Sequence, residues 1–526
     1  MLKGFTPWPQ EFADRYRQAG YWRGEVLGDL LRGPAATDPR RAAVVTRTGR
    51  YSYGELDTRA DELAAGLADL GIGRFDRVVV GLPNTVDFVT TCVALFRIGA
   101  LPVLALPAHR RAELTYLAQY SEAVALITPS GELAREVAKD AATLRHLITT
   151  EDLTSVKGAP REHEGPRPSD VAFFLLSGGT TGLPKLIPRT HDDYAFQMRA
   201  TAEAMGFDEH QAYLAALPVA HNAALGCPGA LGALWAGGRA VLASSPSPDE
   251  VFPLIAQEKV TLTTLMPAVL SLWIDTAGLF QADLSGLTIE VGGAVLNPEV
   301  GRKVRPALGA TLTHWFGMAE GILVFTRRED GDEAAATTQG TPMCDADELL
   351  IVDEDDSPVA PGEVGQLLVR GPCVLRGYYN VEEHNRTVFT SEGYLRTGDL
   401  ARMTPEGRLV ITGRLKDVIN RGGEKVSSDE VESHLTAHPG VRAAAVVPLP
   451  DRRLGEKICA FIVAKGEAPS LSQLRELLRE RGLADYKLPD RLEVVDALPQ
   501  TNVGKIDKRR LAALLDERDS PAGGAA

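Results

Sequence analysis

The 526-residue sequence predicts an α/β fold with a large N-terminal domain of parallel, helix-covered sheets, a β-rich subdomain, and a small mobile α+β C-terminal domain. Three observations predict it. Apolar strands alternate with amphipathic helices up to about residue 265, and these strands are too apolar to have a face in water. Near residue 340, short strands among Gly, Pro and Asp turns replace this alternation. After Gly413 the helices and strands of a separate small unit begin.

The elements of the helix-covered part follow from their periodicity. Residues 55–70 have one apolar helical face, and Gly71 lies where a C-cap falls. Further helices are predicted at 86–98, 110–120, 194–205 and 248–258. Strands are predicted at 77–82, 101–106, 123–127, 170–176, 239–242 and 261–265. Strands separated by helices in this way indicate parallel sheets, since parallel neighbours need crossover connections.

The second part of the chain is predicted to contain two smaller units. Strands at 348–353, 365–370 and 409–412 define a β-rich subdomain at about 340–413, which completes an N-terminal domain of residues 1–413. The C-terminal domain is predicted at 414–518, with a helix capped by Ser427, strands at 443–447 and 458–463, and a helix at 471–481. The Pro-, Gly- and Ala-rich residues 519–526 are expected to be disordered.

Composition excludes several classes of protein. A formal charge of -14 and a pI near 5.3 argue against a nucleic-acid or anionic-membrane binder. The five cysteines are scattered without a CxxC pair, which fits a reducing cytoplasm and gives neither a disulfide framework nor a zinc site. No stretch approaches the ~18 apolar residues of a spanning helix, and the N-terminus has no apolar signal core. We therefore expect a cytoplasmic protein without a membrane partner.

A candidate phosphate-binding loop follows the strand at 170–176. Its candidate residues are Ser177, Gly178, Gly179, Thr180, Thr181, Gly182 and Lys185. Glycine lets backbone N–H groups turn inward around an anion, and the hydroxyls and the lysine add donors and positive charge. The spacing is not that of a Walker A loop, which needs Gly-Lys-Ser/Thr. A flexible Gly/Thr hairpin turn is the alternative, so the rest of the chain has to decide.

Other polar loops also follow apolar strands, where ligands collect in parallel sheets. They contain His221-Asn222, Gly292-Gly293-Ala294, Phe316-Gly317-Met318-Ala319-Glu320, Tyr394 to Asp399, and Gly504-Lys505. Each has an ordinary interpretation when taken alone. Glu320 and Asp399 fit surface acids, Lys505 fits a solvated lysine, and His221 fits a core histidine. A site is the better explanation, because the alternative requires every one of these ordinary interpretations to be true together.

Six motifs together resemble the adenylate-forming family of acyl-CoA synthetases and nonribosomal adenylation enzymes. They are Ser177–Lys185, Phe316–Glu320, Tyr394–Asp399, Gly413–Lys416, Gly422–Lys425 and Gly504-Lys505. Their order and separations match over nearly the whole chain, which makes the resemblance specific. Within that family, residues 217–222, 317–321 and 420–425 are similar to stand-alone aryl-acid-activating enzymes of siderophore pathways.

The resemblance implies a two-step reaction with ATP and Mg²⁺. A carboxylate attacks the α-phosphate of ATP and gives an acyl adenylate and pyrophosphate. The phosphopantetheine thiol of a carrier protein then takes the acyl group. Because the first step brings two anions together, positive charge and preorganised donors should dominate catalysis.

The resemblance also implies roles for single residues. Ser177–Lys185 would hold the β- and γ-phosphates, Glu320 would bind Mg²⁺, and Asp399 would bind the two ribose hydroxyls. Lys505 would bridge the carboxylate and the α-phosphate, and Arg414 would reach the nucleotide. The remaining expected nucleotide contacts are Gly293, Ala294, Gly317, Met318 and Ala319. Lys416 falls at the family's hinge, where a plain linker lysine is the alternative, and Gly422 and Gly423 would serve the thiol step.

The expected acyl pocket contains His221, Asn222, Ala223, Cys227, Gly293, Gly317 and Leu323. Asn222 is neutral where amino-acid-activating relatives have Asp, so it suits an aryl acid with an ortho hydroxyl. The Cys227 and Leu323 pair resembles salicylate activators, since a further hydroxyl buried against them would be unfavourable. Salicylate is therefore the first choice and 2,3-dihydroxybenzoate the second. The small Ala223 predicts tolerance of substituted salicylates or a larger hydroxylated heteroaryl acid.

Two other functions compete with this interpretation. An aryl-CoA ligase would use free coenzyme A with the same ATP motifs, although the siderophore-type segments favour a carrier protein. A non-catalytic nucleotide-binding regulator would predict loss of Lys505 or Glu320, and both are present. No Gly-x-Asp-Ser-type phosphopantetheine site follows Lys505, so we expect the aryl carrier protein to be a separate chain.

Overall fold

The computed structural model describes residues 2–160, 165–177, 184–280, 282–421, 424–451, 454–481, 483–501 and 505–519. The helices are α1 Gln10–Gln18, α2 Arg32–Thr37, α3 Tyr53–Asp69, α4 Val86–Arg97, α5 Arg111–Ser121, α6 Gly131–Ala138, α7 His191–Ala204, α8 Asn222–Gly226, α9 Gly229–Trp235, α10 Pro248–Glu258, α11 Pro267–Phe280, α12 Pro298–Gly301, α13 Val304–Leu308, α14 Gly331–Thr337, α15 Glu382–Val388, α16 Ser428–Leu435, α17 Leu471–Glu480 and α18 Lys508–Asp519. The strands are β1 Ala42–Thr46, β2 Gly49–Ser52, β3 Arg77–Val80, β4 Leu101–Leu104, β5 Ala125–Thr128, β6 His146–Thr149, β7 Val171–Leu176, β8 Leu186–Thr190, β9 Ala212–Ala215, β10 Arg239–Leu242, β11 Leu262–Leu265, β12 Thr288–Val291, β13 Thr311–Gly317, β14 Leu323–Phe325, β15 Thr341–Pro342, β16 Glu348–Val352, β17 Gly365–Arg370, β18 Leu395–Met403, β19 Leu409–Arg414, β20 Val418–Arg421, β21 Glu424–Ser427, β22 Val441–Asp451, β23 Gly455–Ala464 and β24 Arg491–Val494.

Two mixed sheets with parallel centres carry the N-terminal part. The nine-stranded sheet has the order β15-β14-β13-β12-β11-β9-β10-β1-β2 and is parallel from β13 to β1. The six-stranded sheet has the order β6-β5-β3-β4-β7-β8, with β8 antiparallel at its edge. The predicted α/β class and its parallel, helix-covered sheets are confirmed.

Helix ends follow local capping chemistry. Helix α3 begins with a capping box between Ser52 and Glu55, and Gly71 beyond its end has a φ of 79°. Helix α7 begins three residues before the predicted residue 194. The reason is a capping box in which the Thr190 hydroxyl accepts the N–H of Asp193, so the helix starts at His191.

The two parallel sheets share a large apolar core. The buried rings of Phe96, Phe173, Tyr194 and Tyr213 belong to it, together with apolar side chains of α3, α4, α7 and α9. N-terminal aromatic residues pack on this body, with Tyr16 and Trp22 rings 5.1 Å apart and Tyr21 and Phe196 rings 5.1 Å apart. This core fixes the positions of the loops at the carboxyl ends of both sheets.

The remaining chain forms two further sheets. The β-rich part is the antiparallel sheet β16-β17-β18-β19, and the C-terminal part has the order β21-β20-β23-β22 with β24 beside β23. Helices α16 and α17 contribute to one apolar cluster around the C-terminal sheet, and α18 contributes to another. The exact domain limits, the hinge at Lys416 and the domain span 414–518 stay predictions, and residues 520–526 of the predicted tail lie outside the described residues.

Hydrogen bonds between described residues join the C-terminal part to the body. Nδ2 of Asn297 donates to Oγ1 of Thr436 at 2.7 Å, and the Ser427 hydroxyl donates to the Thr412 carbonyl at 2.8 Å. Among the described helices, none is long and apolar enough to cross a membrane.

Candidate active site

A cavity of about 960 Å³ lies between the carboxyl ends of the nine-stranded sheet and the C-terminal part. Its lining includes Gly293, Ala294, Gly317, Asp399, Arg414 and Lys505. These residues come from loops and strands far apart in the chain. The structure therefore brings five of the fourteen predicted nucleotide-binding residues to one cavity, together with Lys505.

Asp399 and Arg414 face each other across β18 and β19. They are register partners, and Nε of Arg414 lies 3.0 Å from Oδ1 of Asp399. The other carboxylate oxygen, Oδ2, is buried without a hydrogen-bond partner within the described residues. Burial raises the pKa of Asp399, and the positive charges of Arg414 and Lys505 oppose that rise. A buried acceptor in this state has capacity for donors of a bound ligand, as ribose hydroxyls are.

Lys505 is a partly buried cation that faces charges of both signs. Its pKa is lowered by burial and by Arg414, while Asp399 and Glu320 favour its charged form. Thr501 N–H donates to the Lys505 carbonyl at 2.7 Å, so residues 501 and 505 lie side by side. A lysine shielded from water in this way acts on an anion more strongly than one in solvent.

Glu320 is a buried carboxylate at the end of the loop after β13. It is 6% exposed, and the Tyr378 hydroxyl donates to its Oε1 at 2.8 Å. Burial raises its pKa, and the Tyr378 hydrogen bond opposes that rise. The next residue must be glycine, because a Cβ on Gly321 would lie 1.7 Å from the Cys373 carbonyl oxygen. The backbone of this loop is therefore tightly held.

The magnesium expectation fits this donor set. No cluster of three or more potential metal ligands occurs among the residues that the structure describes. Mg²⁺ is commonly held by one or two carboxylates together with substrate phosphates and water. A single acceptor such as Glu320 beside a phosphate loop suits that mode of binding.

The base of the candidate phosphate loop is closed by two hydrogen bonds. Ser177 N–H donates to the Lys185 carbonyl and Lys185 N–H donates to the Ser177 hydroxyl, both at 2.9 Å. Nζ of Lys185 lies 5.9 Å from the centroid of the Tyr378 ring, next to the partner of Glu320. The predicted residues Gly178, Gly179, Thr180, Thr181 and Gly182 lie outside the described residues, as do Gly422 and Gly423.

The expected acyl pocket begins at the start of α8. His221 is the N-cap of this helix, and burial together with the nearby Lys505 lowers its pKa to about 4. His221 is therefore uncharged at neutral pH. The Asn222 Oδ1 accepts a hydrogen bond from the Tyr194 hydroxyl at 2.9 Å. This contact turns the Asn222 NH₂ group away from Tyr194 and leaves it available to a ligand.

The other predicted pocket residues lie around this pair. Ala223 and Leu323 are each 3% exposed, whereas Cys227 is only half-buried. Nε2 of Gln197 donates to the Gly226 carbonyl at 2.9 Å and lies 3.4 Å from Sγ of Cys227. Leu323 packs against Gly317, where a Cβ would lie 2.6 Å from Cδ2 of Leu323.

Sequence analysis missed three polar residues of this region, Tyr194, Gln197 and Tyr378. Tyr194 and Gln197 are one helical turn apart on α7 and fully buried, so a polar pair at i and i+3 was the available signal. Tyr378 had no comparable signal, because its partner Glu320 is far away in the chain.

The Asp399–Arg414 pair and Lys505 line one cavity, and the buried Glu320 belongs to a nearby loop. These are the groups that adenylate formation requires. The AMP-binding enzyme family matches residues 31–379, and the AMP-binding enzyme C-terminal domain matches residues 430–505. This chain belongs to the AMP-binding enzyme family, and the predicted resemblance is confirmed.

Curated relatives match along almost their whole length. The chain is 50% identical to 2,3-dihydroxybenzoate-AMP ligase of Bacillus subtilis, covering 98% of this chain and 99% of the relative. It is 48% identical to a salicylyl-CoA synthase / salicylate adenylyltransferase of a Streptomyces species, covering 97% of each. Among solved structures, apo MbtA of Mycobacterium smegmatis is similar, with a TM-score of 0.76, 45% identity, and coverage of 97% of this chain and 98% of that one.

Proposed function

We propose that this protein is an aryl-acid AMP ligase that activates salicylate and passes the acyl group to an aryl carrier protein in siderophore-type biosynthesis. The observation that carries the proposal is the neutral Asn222 held by Tyr194. Its NH₂ group has no hydrogen-bond partner among the described residues and suits an uncharged ortho hydroxyl. The relatives named after 2,3-dihydroxybenzoate and salicylate support the same substrate class.

In the first half-reaction, a carboxylate oxygen of the aryl acid bonds to the α-phosphorus of ATP, and the bond to pyrophosphate breaks. Lys505 stabilises the negative charge that two approaching anions accumulate. Asp399 and Arg414 hold the ribose side of the nucleotide. His221 stays neutral beside Lys505, so it orients the substrate without adding charge. Glu320 would hold Mg²⁺, which when bound supplies positive charge to the phosphates.

In the second half-reaction, a thiolate attacks the acyl carbonyl and AMP leaves. The acceptor that we propose is the phosphopantetheine thiol of a separate aryl carrier protein. We further propose that the C-terminal part rotates about Lys416 between the two steps, which would withdraw Lys505. Gly422 and Gly423 would then serve the thiol step.

The preference for salicylate over 2,3-dihydroxybenzoate rests on Cys227 and Leu323. The Gln197 amide beside Cys227 already donates to the Gly226 carbonyl, so a second ring hydroxyl would meet a thiol and an apolar wall. Burying that hydroxyl without a good partner costs about 1–3 kcal/mol. The small Ala223 leaves room for a substituted salicylate or a larger heteroaryl acid.

ATP–pyrophosphate exchange with a panel of aryl acids tests the proposal. We expect exchange with salicylate at a kcat/KM about tenfold or more above that with 2,3-dihydroxybenzoate. We expect no exchange when the aryl acid is omitted. A clear preference for 2,3-dihydroxybenzoate would refute the Cys227 and Leu323 argument while leaving the enzyme class intact. Absence of exchange with every aryl acid would refute the proposed function.

An aryl-CoA ligase is the second candidate, and the Streptomyces relative named as a salicylyl-CoA synthase favours it. The two candidates share the first half-reaction. Thioester formation from purified salicyl-AMP with coenzyme A, compared with a phosphopantetheinylated aryl carrier protein, separates them. Faster transfer to coenzyme A would replace the carrier-protein assignment.

A further inference from the structure

A row of polar side chains crosses the centre of the nine-stranded sheet. Thr264, Glu290 and Thr313 are register partners on β11, β12 and β13, so their side chains share one face. Leu262, two residues before Thr264, shares that face and belongs to the same core as Tyr194, Leu225 and Leu323. The polar row therefore points toward the side of the sheet on which α7 and α8 build the acyl pocket.

Glu290 is held at one of its two carboxyl oxygens. The Thr264 hydroxyl donates to Oε2 at 2.8 Å, and the Tyr213 hydroxyl donates to the Thr264 oxygen at 3.1 Å. In the described part of the chain, Thr264 is the hydrogen-bond partner of Glu290, and Oε1 has none. Glu290 is 4% exposed, and the Thr313 hydroxyl beside it is buried and also lacks a partner within the described residues. Oε1 and the Thr313 hydroxyl therefore both retain hydrogen-bonding capacity for a ligand.

The protonation state of Glu290 decides what Oε1 offers. Burial raises the pKa of Glu290 to about 8, so the carboxyl group is mostly neutral at pH 7. Since Oε2 accepts from Thr264, the proton belongs on Oε1, which then acts as a donor. Among the described residues, Tyr213 and Cys227 are titratable groups that interact electrostatically with Glu290. Burial raises the pKa of both, so they stay neutral as well.

The position of Glu290 links it to the acyl pocket. Its charge contributes to the raised pKa of Cys227, which lines that pocket beside Gln197. Glu290 also lies two residues before Gly292-Gly293, where the chain reaches the cavity. Salicylate presents only C–H groups away from its carboxylate and hydroxyl, so it would leave this buried donor unpaired.

We propose that Glu290 is a specificity-determining hydrogen-bond donor of the acyl pocket, and that it selects ortho-hydroxylated heteroaryl acids whose ring nitrogen accepts this hydrogen bond. The proposal rests on the proposed aryl-acid adenylation. Within that class, it places heteroaryl acids ahead of salicylate, which was the choice argued from Cys227 and Leu323 alone. The proposal also assigns a use to the small side chain of Ala223. A bicyclic heteroaryl acid needs space for its second ring, beside Ala223, and a hydrogen-bond donor for its nitrogen, at Glu290.

Two matched sets of acids, one of two and one of three, test the proposal by ATP–pyrophosphate exchange. One pair is 3-hydroxyquinoline-2-carboxylate and 3-hydroxy-2-naphthoate, which differ by one ring nitrogen in place of C–H. The other set is salicylate with 3-hydroxypyridine-2-carboxylate and 3-hydroxypyridine-4-carboxylate, which place the nitrogen at two ring positions. We expect at least one nitrogen acid to exceed its carbocyclic partner by about tenfold or more in kcat/KM at pH 7.

Variants of Glu290 connect that preference to the residue. Glu290→Met should reduce the ratio of kcat/KM for the nitrogen acid to kcat/KM for its carbocyclic partner to about one. Glu290→Gln should retain most of this ratio, because the amide also donates a hydrogen bond. If Glu290→Met folds poorly, Thr264→Val gives a second test, since it removes the hydroxyl that orients the carboxyl group and should lower the same ratio.

The pH dependence of the ratio gives a readout that a purely structural role would not move. As pH rises through about 8, Glu290 ionises and the donor is lost, so the wild-type ratio should fall between about pH 7 and pH 9. In Glu290→Gln the ratio should not change over that range. Because each ratio compares two acids on one enzyme, titration of Lys505 affects both acids alike.

The outcomes separate this proposal from the proposed function. Exchange with salicylate but no preference for any nitrogen acid would overturn the role of Glu290 and leave aryl-acid adenylation intact. A preference that survives Glu290→Met, or that does not fall with pH, would overturn it as well. No exchange with any acid would refute the proposed function itself.

Discussion

Lys505 illustrates how this site uses burial at the scale of a single residue. Burial and Arg414 destabilise its positive charge, while Asp399 and Glu320 favour it. An incoming carboxylate and a nucleotide α-phosphate would place negative charge next to the partly desolvated ammonium group. They would therefore raise the pKa of Lys505 again. The same lysine in solvent would be screened and worth little.

Replacing Lys505 tests this role directly. We expect Lys505→Ala to lower adenylate formation by about 10²–10³-fold while ATP still binds, since the loss falls on the transition state. Pyrophosphate exchange and ATP binding by calorimetry measure the two quantities. Lys465→Ala, which removes an exposed lysine of the same part of the chain, is the matched control. Unchanged exchange in Lys505→Ala would remove the lysine from the proposed mechanism.

Single residues show the limit of sequence analysis. Asn222, Asp399 and Lys505 could be proposed because each stands in a motif with a recognisable order. Tyr194 and Glu290 could not, because their chemistry arises from partners on other elements. Tyr194 matters through Asn222 on α8, and the protonation of Glu290 depends on burial at the centre of a sheet.

At the scale of elements, the short helix α8 is held in place by close packing on α7. A Cβ on Gly226 would lie 2.4 Å from the Tyr194 hydroxyl oxygen, and Tyr194 is fully buried. The same hydroxyl donates to Asn222 at the other end of α8. Glycine at 226 therefore allows the helix to approach close enough for that hydrogen bond.

Gly226→Ala should disturb both stability and substrate binding. We expect the overlap with Tyr194 to cost about 1–3 kcal/mol in the free energy of unfolding and to raise the KM for the aryl acid more than the KM for ATP. Gly278→Ala in α11 is the control, because no atom lies within 4 Å of its added Cβ and the change favours a helix by about 0.5–1 kcal/mol. Equal thermal stability of both variants would contradict the packing argument.

Most elements could be predicted, and their ends less well. Strand β10 and helix α10 match the predicted ranges because their apolar runs end at clear turn residues. Helix α7 begins earlier than its apolar pattern indicates, because the Thr190–Asp193 capping box and not hydrophobicity sets its start. Helix α11 was not predicted.

At the scale of the whole molecule, the site lies between the N-terminal body and the C-terminal part. Lys505 belongs to the C-terminal part, whereas Glu320, Asp399 and His221 belong to the body. The hydrogen bond between Asn297 and Thr436 spans the same boundary at 2.7 Å. In the proposed mechanism, this is the arrangement of the first half-reaction.

Locking that boundary should separate the two half-reactions. We expect an Asn297→Cys, Thr436→Cys double variant, joined by a short bismaleimide, to retain pyrophosphate exchange and to lose at least about 90% of thioester formation, because Lys505 could no longer withdraw. Wild-type protein treated with the same reagent controls for reaction at the native cysteines. Undiminished transfer to the carrier protein in the cross-linked variant would refute the rotation.

The order of the sheets was beyond sequence analysis. Alternating strands and helices indicated parallel sheets, and the structure confirms them. Nothing in the periodicity places β1 beside β10 instead of β3, because these three strands are similarly apolar. Which strand pairs with β1 depends on which crossover connections leave room for the helices, and this is set by tertiary packing.

The pairing of β1 with β10 has a consequence for synthesis on the ribosome. The six-stranded sheet draws all its strands from residues 77–190 and can assemble as soon as that segment has emerged. The nine-stranded sheet cannot assemble so early, because Val45 on β1 pairs with Val241 on β10, which is synthesised much later. Until then β1 can pair only with β2, and an isolated hairpin is marginally stable. A nascent chain of this enzyme therefore carries an apolar strand edge through much of its translation, and products truncated before Arg239 would keep that edge exposed to aggregation.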